Sequence, residues 1–180
     1  MDDPGSMSAG NIIVKLVILL VLILVNAFFA MSELAIISLN DNKIDKMAED
    51  GNKKAKKIVK LTENSSKFLS TIQIGVTLAG FLTSASASTT FASMITDALR
   101  GTVVYNALGE GLINGIAVVI VTIIMSYFSL VLGELVPKKI AMQVPEKISF
   151  KIVDILLLFS KLFAPLVKIL SVSTNAVVRL

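Results

Sequence analysis

Two carboxylates, Glu33 and Glu134, stand within or at the edge of long apolar runs. A charge near mid-membrane costs roughly 2.5–3.5 kcal/mol on insertion scales, and less near an interface. Such a group serves an ion or proton path, or it is an interfacial carboxylate paired with a nearby lysine. The context of Glu134 favours the first. It lies in Gly133-Glu134-Leu135-Val136-Pro137-Lys138. Proline has no N–H, so Pro137 cannot donate to the carbonyl four residues back, which belongs to Gly133. One stretch therefore offers a carbonyl beside a carboxylate, with Pro137 as the kink. Oxygen donors of this kind suit Na⁺ or Mg²⁺.

Polar residues elsewhere point the same way. Thr122, Ser126, Ser129 and Gly133 recur at helical spacing toward Glu134. Gln73, Thr77, Gly80, Ser84 and Ser88 make a second stripe, and Asn26, Ser32 and Glu33 a third. Hydroxyl stripes alone fit interhelical packing and hydrogen bonding in lipid. Converging on a carboxylate and a carbonyl without its donor, they suggest a cation site.

Helices crossing a membrane must position these groups. Of 180 residues, 54% are hydrophobic and 17% charged, with a mean hydropathy of +0.82. That composition excludes a soluble enzyme domain, a disordered tail and a nucleic-acid binder. Cys and His are absent, so disulfides, zinc sites, haem ligation, thiol nucleophiles and imidazole catalysis are excluded within this chain. A membrane protease is disfavoured, since no Ser–Lys pair is evident inside the apolar runs. The net charge of +4 comes from lysines clustered beside apolar segments, a mark of membrane topology rather than of nucleic-acid binding.

Three runs are long enough to span, at about 12–39, 68–95 and 112–136, given about 20 residues per crossing. Residues 40–67 hold eight lysines and five acids and read as an amphipathic helical hairpin broken at Gly51-Asn52. The second run is rich in small residues, which suit close helix packing or a dimer surface. In the last segment Lys147, Asp154, Lys161 and Lys168 fall seven apart, a narrow charged stripe that suits the membrane interface better than a crossing. Residues 1–10 read as a disordered N-terminus or expression scar, with Asp2 and Asp3 where a signal peptide would be basic. Residues 11–144 read as the transmembrane ion-transport domain and 145–180 as a kinked juxtamembrane belt helix. The expected fold class is all-α integral membrane.

Loop charges orient the chain by the positive-inside rule. The 40–67 loop carries eight lysines, whereas 97–111 carries Arg100 alone. The expected topology is multi-pass in the cell membrane, N-terminus outside and C-terminus cytoplasmic. Both carboxylates then lie near the cytoplasmic ends of their helices.

Asn26-Ala-Phe28-Phe29-Ala-Met-Ser32-Glu33-Leu-Ala35 resembles the N-x-F-F-x-x-S-E-x-A signature of the CorC/CNNM (cyclin M) transmembrane domain. Gly133-Glu134-Leu-Val-Pro137-Lys138 resembles its G-E-x-x-P-K signature, and Leu69 to Leu78 its second helix. The likeness covers about residues 11–180. It implies a Mg²⁺ transporter exporting by Na⁺ coupling, built as a homodimer of three-helix units with a cytoplasm-facing cavity. Ser32, Gly133 and Glu134 carry over as ion-site residues. The second helix departs from the family pattern: Val76 and Gly80 stand where many members have asparagine. Thr77 and Gln73 are the substitutes expected there, with Glu33 and Asn26 completing the metal-site candidates. Relatives continue into a cytoplasmic CBS pair that binds ATP, expected beyond this chain. The alternative is a non-transporting Mg²⁺-sensing membrane anchor for a cytoplasmic regulatory domain.

Overall fold

The computed structural model describes residues 9–178. Of the expected N-terminal segment 1–10, all but Ala9 and Gly10 lie outside the described residues, as do the last two residues of 145–180. The described chain is all-α: α1 (Ala9–Ile37), α2 (Asp41–Glu49), α3 (Lys53–Thr62), α4 (Ser65–Leu99), α5 (Val103–Leu108), α6 (Glu110–Leu130), a π-helical turn (Val131–Leu135), α7 (Val136–Gln143), α8 (Pro145–Leu162) and α9 (Ala164–Val178). Three stretches are long and apolar enough to cross a membrane: Gly10–Ile37, Ser65–Leu99 and Glu110–Gln143.

Pro137 does not end the third span. The chain stays helical through to Gln143, seven residues past the expected end. The π turn explains this. Val136 donates its N–H to the Val131 carbonyl, five residues back rather than four. The widened turn gives the proline ring room beside the preceding carbonyls, and Pro137 then sits in the first turn of α7, where a missing N–H is tolerated.

Apolar side chains on the spans stay exposed, as with Phe81 at 70% and Ile123 at 64%, because lipid is as apolar as they are. The close-packed core sits instead where the spans meet the short helices. There Phe29, Ile36, Ile58, Phe68, Ile72, Val153 and Leu156 are buried together. The Phe29 ring lies 5.0 Å from that of Phe159, edge to face. Water exclusion can drive burial at this level, and packing alone must hold the helices deeper in.

Local signals build the short helices. The Asn40 side chain accepts from the Lys43 N–H at 3.1 Å and starts α2. Gly51 takes φ +95°, which glycine adopts without strain. Asn52 then accepts from the N–H groups of Lys54 and Ala55 to start α3. Ion pairs tie these helices to α8. Lys43 reaches Glu146 at 2.5 Å, and Lys54 and Lys57 share Asp154, Lys57 at 2.6 Å. These two ammonium groups hold the Asp154 carboxyl below its ordinary value. Helix α9 turns away from α8 by 64°, at Phe163 just before Pro165.

Candidate cation site

Asn26, Phe29 and Ser32 recur every three residues on α1 and all are buried, at 4%, 2% and 0% exposure. That spacing sets them on one helical face. Glycines make room for two of them. A Cβ at Gly75 would come within 2.6 Å of the Phe29 ring, and one at Gly133 within 2.8 Å of Asn26 Nδ2. The first and third spans thus close on one another at Asn26 and Gly133.

Beside this contact lies a cavity of about 420 Å³ between α1, α4 and α6. Asn26, Thr77, Ser84, Ser126, Ser129 and Glu134, all with oxygen-bearing side chains, are among its lining residues, as is Gly80. Asn26 Oδ1 is buried and has no hydrogen-bond donor. An orphaned amide oxygen at this depth is costly, on the order of 1–3 kcal/mol, unless something fills the cavity and binds it. An oxygen without a donor, among further oxygens and a carboxylate, is arranged to accept a cation or its water.

The π turn adds acceptors. In a regular helix the Leu132 carbonyl would take the Val136 N–H and the Gly133 carbonyl that of residue 137. Val136 bonds to Val131 instead, and Pro137 has no N–H. Two successive carbonyls lose their α-helical donors just before Glu134. The sequence shows this loss for Gly133 alone.

Glu134 is not free of charge partners. Lys138, one turn on, donates to its Oε1 at 2.8 Å and lies 3.4 Å from Glu33 Oε2. The three side chains are 28–32% exposed. Glu33 and Glu134 therefore meet through one ammonium. This lysine pairing is the alternative that the sequence leaves open for both carboxylates, and it coexists with the cavity. Lys138 was missing from the sequence-derived set, although its i,i+4 spacing from Glu134 signals such a pair.

The remaining candidates divide. Asn26, Thr77 and Glu134 line one cavity, and Gly133 packs on Asn26. Ser32 lies on the same face of α1 but donates to the Phe28 carbonyl of its own helix at 2.6 Å and does not line the cavity. Gln73 sits one turn from Thr77, facing its hydroxyl at 3.4 Å, outside the cavity. No group of three or more Asp, Glu, His or Cys side chains occurs among the described residues. A cation here would rest on one or two carboxylates and on neutral oxygens.

The cyclin M transmembrane N-terminal domain family matches residues 17–180. The chain is 38% identical to the UPF0053 protein sll0260 of Synechocystis over 97% of its own length and 38% of that protein. It is 32% identical to the UPF0053 protein YhdP of Bacillus subtilis, over 91% of this chain and 36% of that one. It is 30% identical to the UPF0053 inner membrane protein YfjD of Escherichia coli, over 87% and 32%. The chain thus spans between about a third and a half of the length of the relatives it matches.

Proposed function

The chain belongs to the cyclin M transmembrane domain family, a multi-pass membrane domain, and from that footing we propose that it carries Mg²⁺ across the membrane through the cavity at Asn26 and Glu134. The observation that carries this reading is that Asn26, whose buried amide oxygen has no donor, lines one cavity together with Glu134, Thr77 and three serines. Mg²⁺ is held by oxygen ligands at about 2.0–2.1 Å and gives up water reluctantly, so a transport site keeps some of that water. In the proposed site Glu134 supplies charge and Asn26 an amide oxygen. Thr77 and the serines supply hydroxyls, and the π turn supplies carbonyls. Ser32 joins only by rotating its hydroxyl off the Phe28 carbonyl.

Lys138 gives the site two states. Without Mg²⁺ its ammonium neutralises Glu134 and spares the membrane an unpaired charge. An arriving cation competes for the same carboxylate, and the partial exposure of both side chains lets the ammonium withdraw toward Glu33 and water. Glu33 at the mouth then attracts cations, with Na⁺ as the coupling ion for export. By the positive-inside rule the lysine-rich loop supports a mouth on the cytoplasmic side. The family resemblance and the many small residues of α4 support a homodimer, and the longer relatives support a further cytoplasmic region, expected to be a CBS pair.

Liposome flux tests transport itself. Purified chain in vesicles should move Mg²⁺ at a rate that rises with an opposing Na⁺ gradient. Saturable Mg²⁺ binding without flux would favour the sensing anchor over the transporter.

A further inference from the structure

A second cavity, of about 580 Å³, opens between the first turns of α4 and the length of α9. Lys67 enters it from α4 and Lys168 from α9, and no carboxylate lines it. Neither lysine forms an ion pair among the described residues. Elsewhere on this side of the molecule lysines do find acids, as Lys43 does at Glu146 and Lys57 at Asp154. Two like charges facing one cleft repel, and the cleft closes most favourably around an anion.

The rest of the lining suits the same ligand. Ser70, Ser171, Thr174 and Asn175 add hydrogen-bond donors. On α9, Lys168 and Ser171 are three residues apart, Thr174 and Asn175 follow three and four residues after Ser171, and the four share one side of the helix. Beside it Leu170 lines the cleft and is 49% exposed, and on the opposite face of α9 Leu166 and Ile169 are exposed too. A helix with a polar stripe and exposed apolar residues suits the plane of a membrane surface, with acyl chains against its apolar side. The lysine-rich helix α3 packs beside the Ser65 end of α4, and the positive-inside rule sets such a cationic cluster at a membrane surface.

We propose that the α4–α9 cleft binds the phosphate headgroup of an anionic membrane lipid between Lys67 and Lys168, with the lipid tails leaving along Leu170. The proposal is independent of the cation site, because no residue of one cavity lines the other.

Purified chain in neutral detergent, titrated separately with phosphatidylglycerol, phosphatidylcholine and inorganic phosphate, tests it by melting temperature and by lipid retained on gel filtration. Phosphatidylglycerol should stabilise the protein and co-elute with it, and the other two should not. The K67Q/K168Q double variant should bind phosphatidylglycerol at least about tenfold more weakly, as expected for two cations removed from an anionic surface. K67R/K168R should keep it. K46Q/K53Q, the same charge change outside the cleft, should bind like the parent. Equal stabilisation by phosphatidylcholine, or equal loss in K46Q/K53Q, would overturn the site. An equal effect of inorganic phosphate would overturn the lipid assignment.

Discussion

Lys138 Nζ lies 2.8 Å from Glu134 Oε1, one helical turn away and on the far side of Pro137. The ammonium occupies the carboxylate that the cation site needs, so the two positive charges exclude one another. K138Q should therefore shift half-saturation by Mg²⁺ to lower concentration, about tenfold, equivalent to about 1.4 kcal/mol. It should also lower the melting temperature in Mg²⁺-free buffer, where Glu33 and Glu134 lose their shared counter-charge. Mg²⁺ titration followed by thermal unfolding reads both effects. Unchanged or weaker Mg²⁺ affinity would count against the competition.

Gly75 and Gly80 lie five residues apart on α4 and answer differently to a methyl group. At Gly75 the added carbon would sit 2.6 Å from the ring of buried Phe29, and at Gly80 it would meet nothing within 4 Å. Phe29 has little room to move between Phe28 and Phe159. G75A should cost about 1–3 kcal/mol, the range for overpacking, and G80A should leave unfolding in detergent nearly unchanged. Equal melting temperatures for G75A and the parent would mean that the α1–α4 contact is looser than described.

Asp154 makes the contact of α3 with α8 sensitive to acid. Its carboxyl is held below the ordinary value of about 3.8 by Lys54 and Lys57. A depressed carboxyl stabilises the fold at every pH above its unfolded value, and that contribution disappears as pH falls through the folded one. The parent should lose stability over this acidic window, and D154N should show a flatter profile there. At neutral pH added salt should narrow the gap between them, because the pair is exposed and screened. Parallel acid profiles for the two proteins would remove Asp154 from the coupling.

Much of the architecture was legible in composition. Apolar runs long enough to cross a bilayer announce three spans, and the all-α fold follows, since helices satisfy their own backbone in lipid. Periodicity also gathered Asn26, Thr77 and Glu134 on faces that meet. Other features were hidden for physical reasons. A π turn adds one residue to a turn and leaves no mark in a 3.6-residue pattern, so the passage of the helix through Pro137 did not show. Helical spacing gives the face of Ser32 but not the direction of its hydroxyl, which the Phe28 carbonyl captures. Lys138 follows Glu134 by one turn in the sequence, but its place between two carboxylates emerges only when α1 and α7 pack together.

The central claim is that Glu134 supplies the charge of a Mg²⁺ site. The most direct test is Mg²⁺-dependent thermal stabilisation of E134Q beside the parent in detergent, with oligomeric state followed on the same samples. The account predicts that the parent's melting temperature rises with Mg²⁺ and that E134Q shows no such rise while its oligomeric state is unchanged. Full Mg²⁺ stabilisation of E134Q would contradict it.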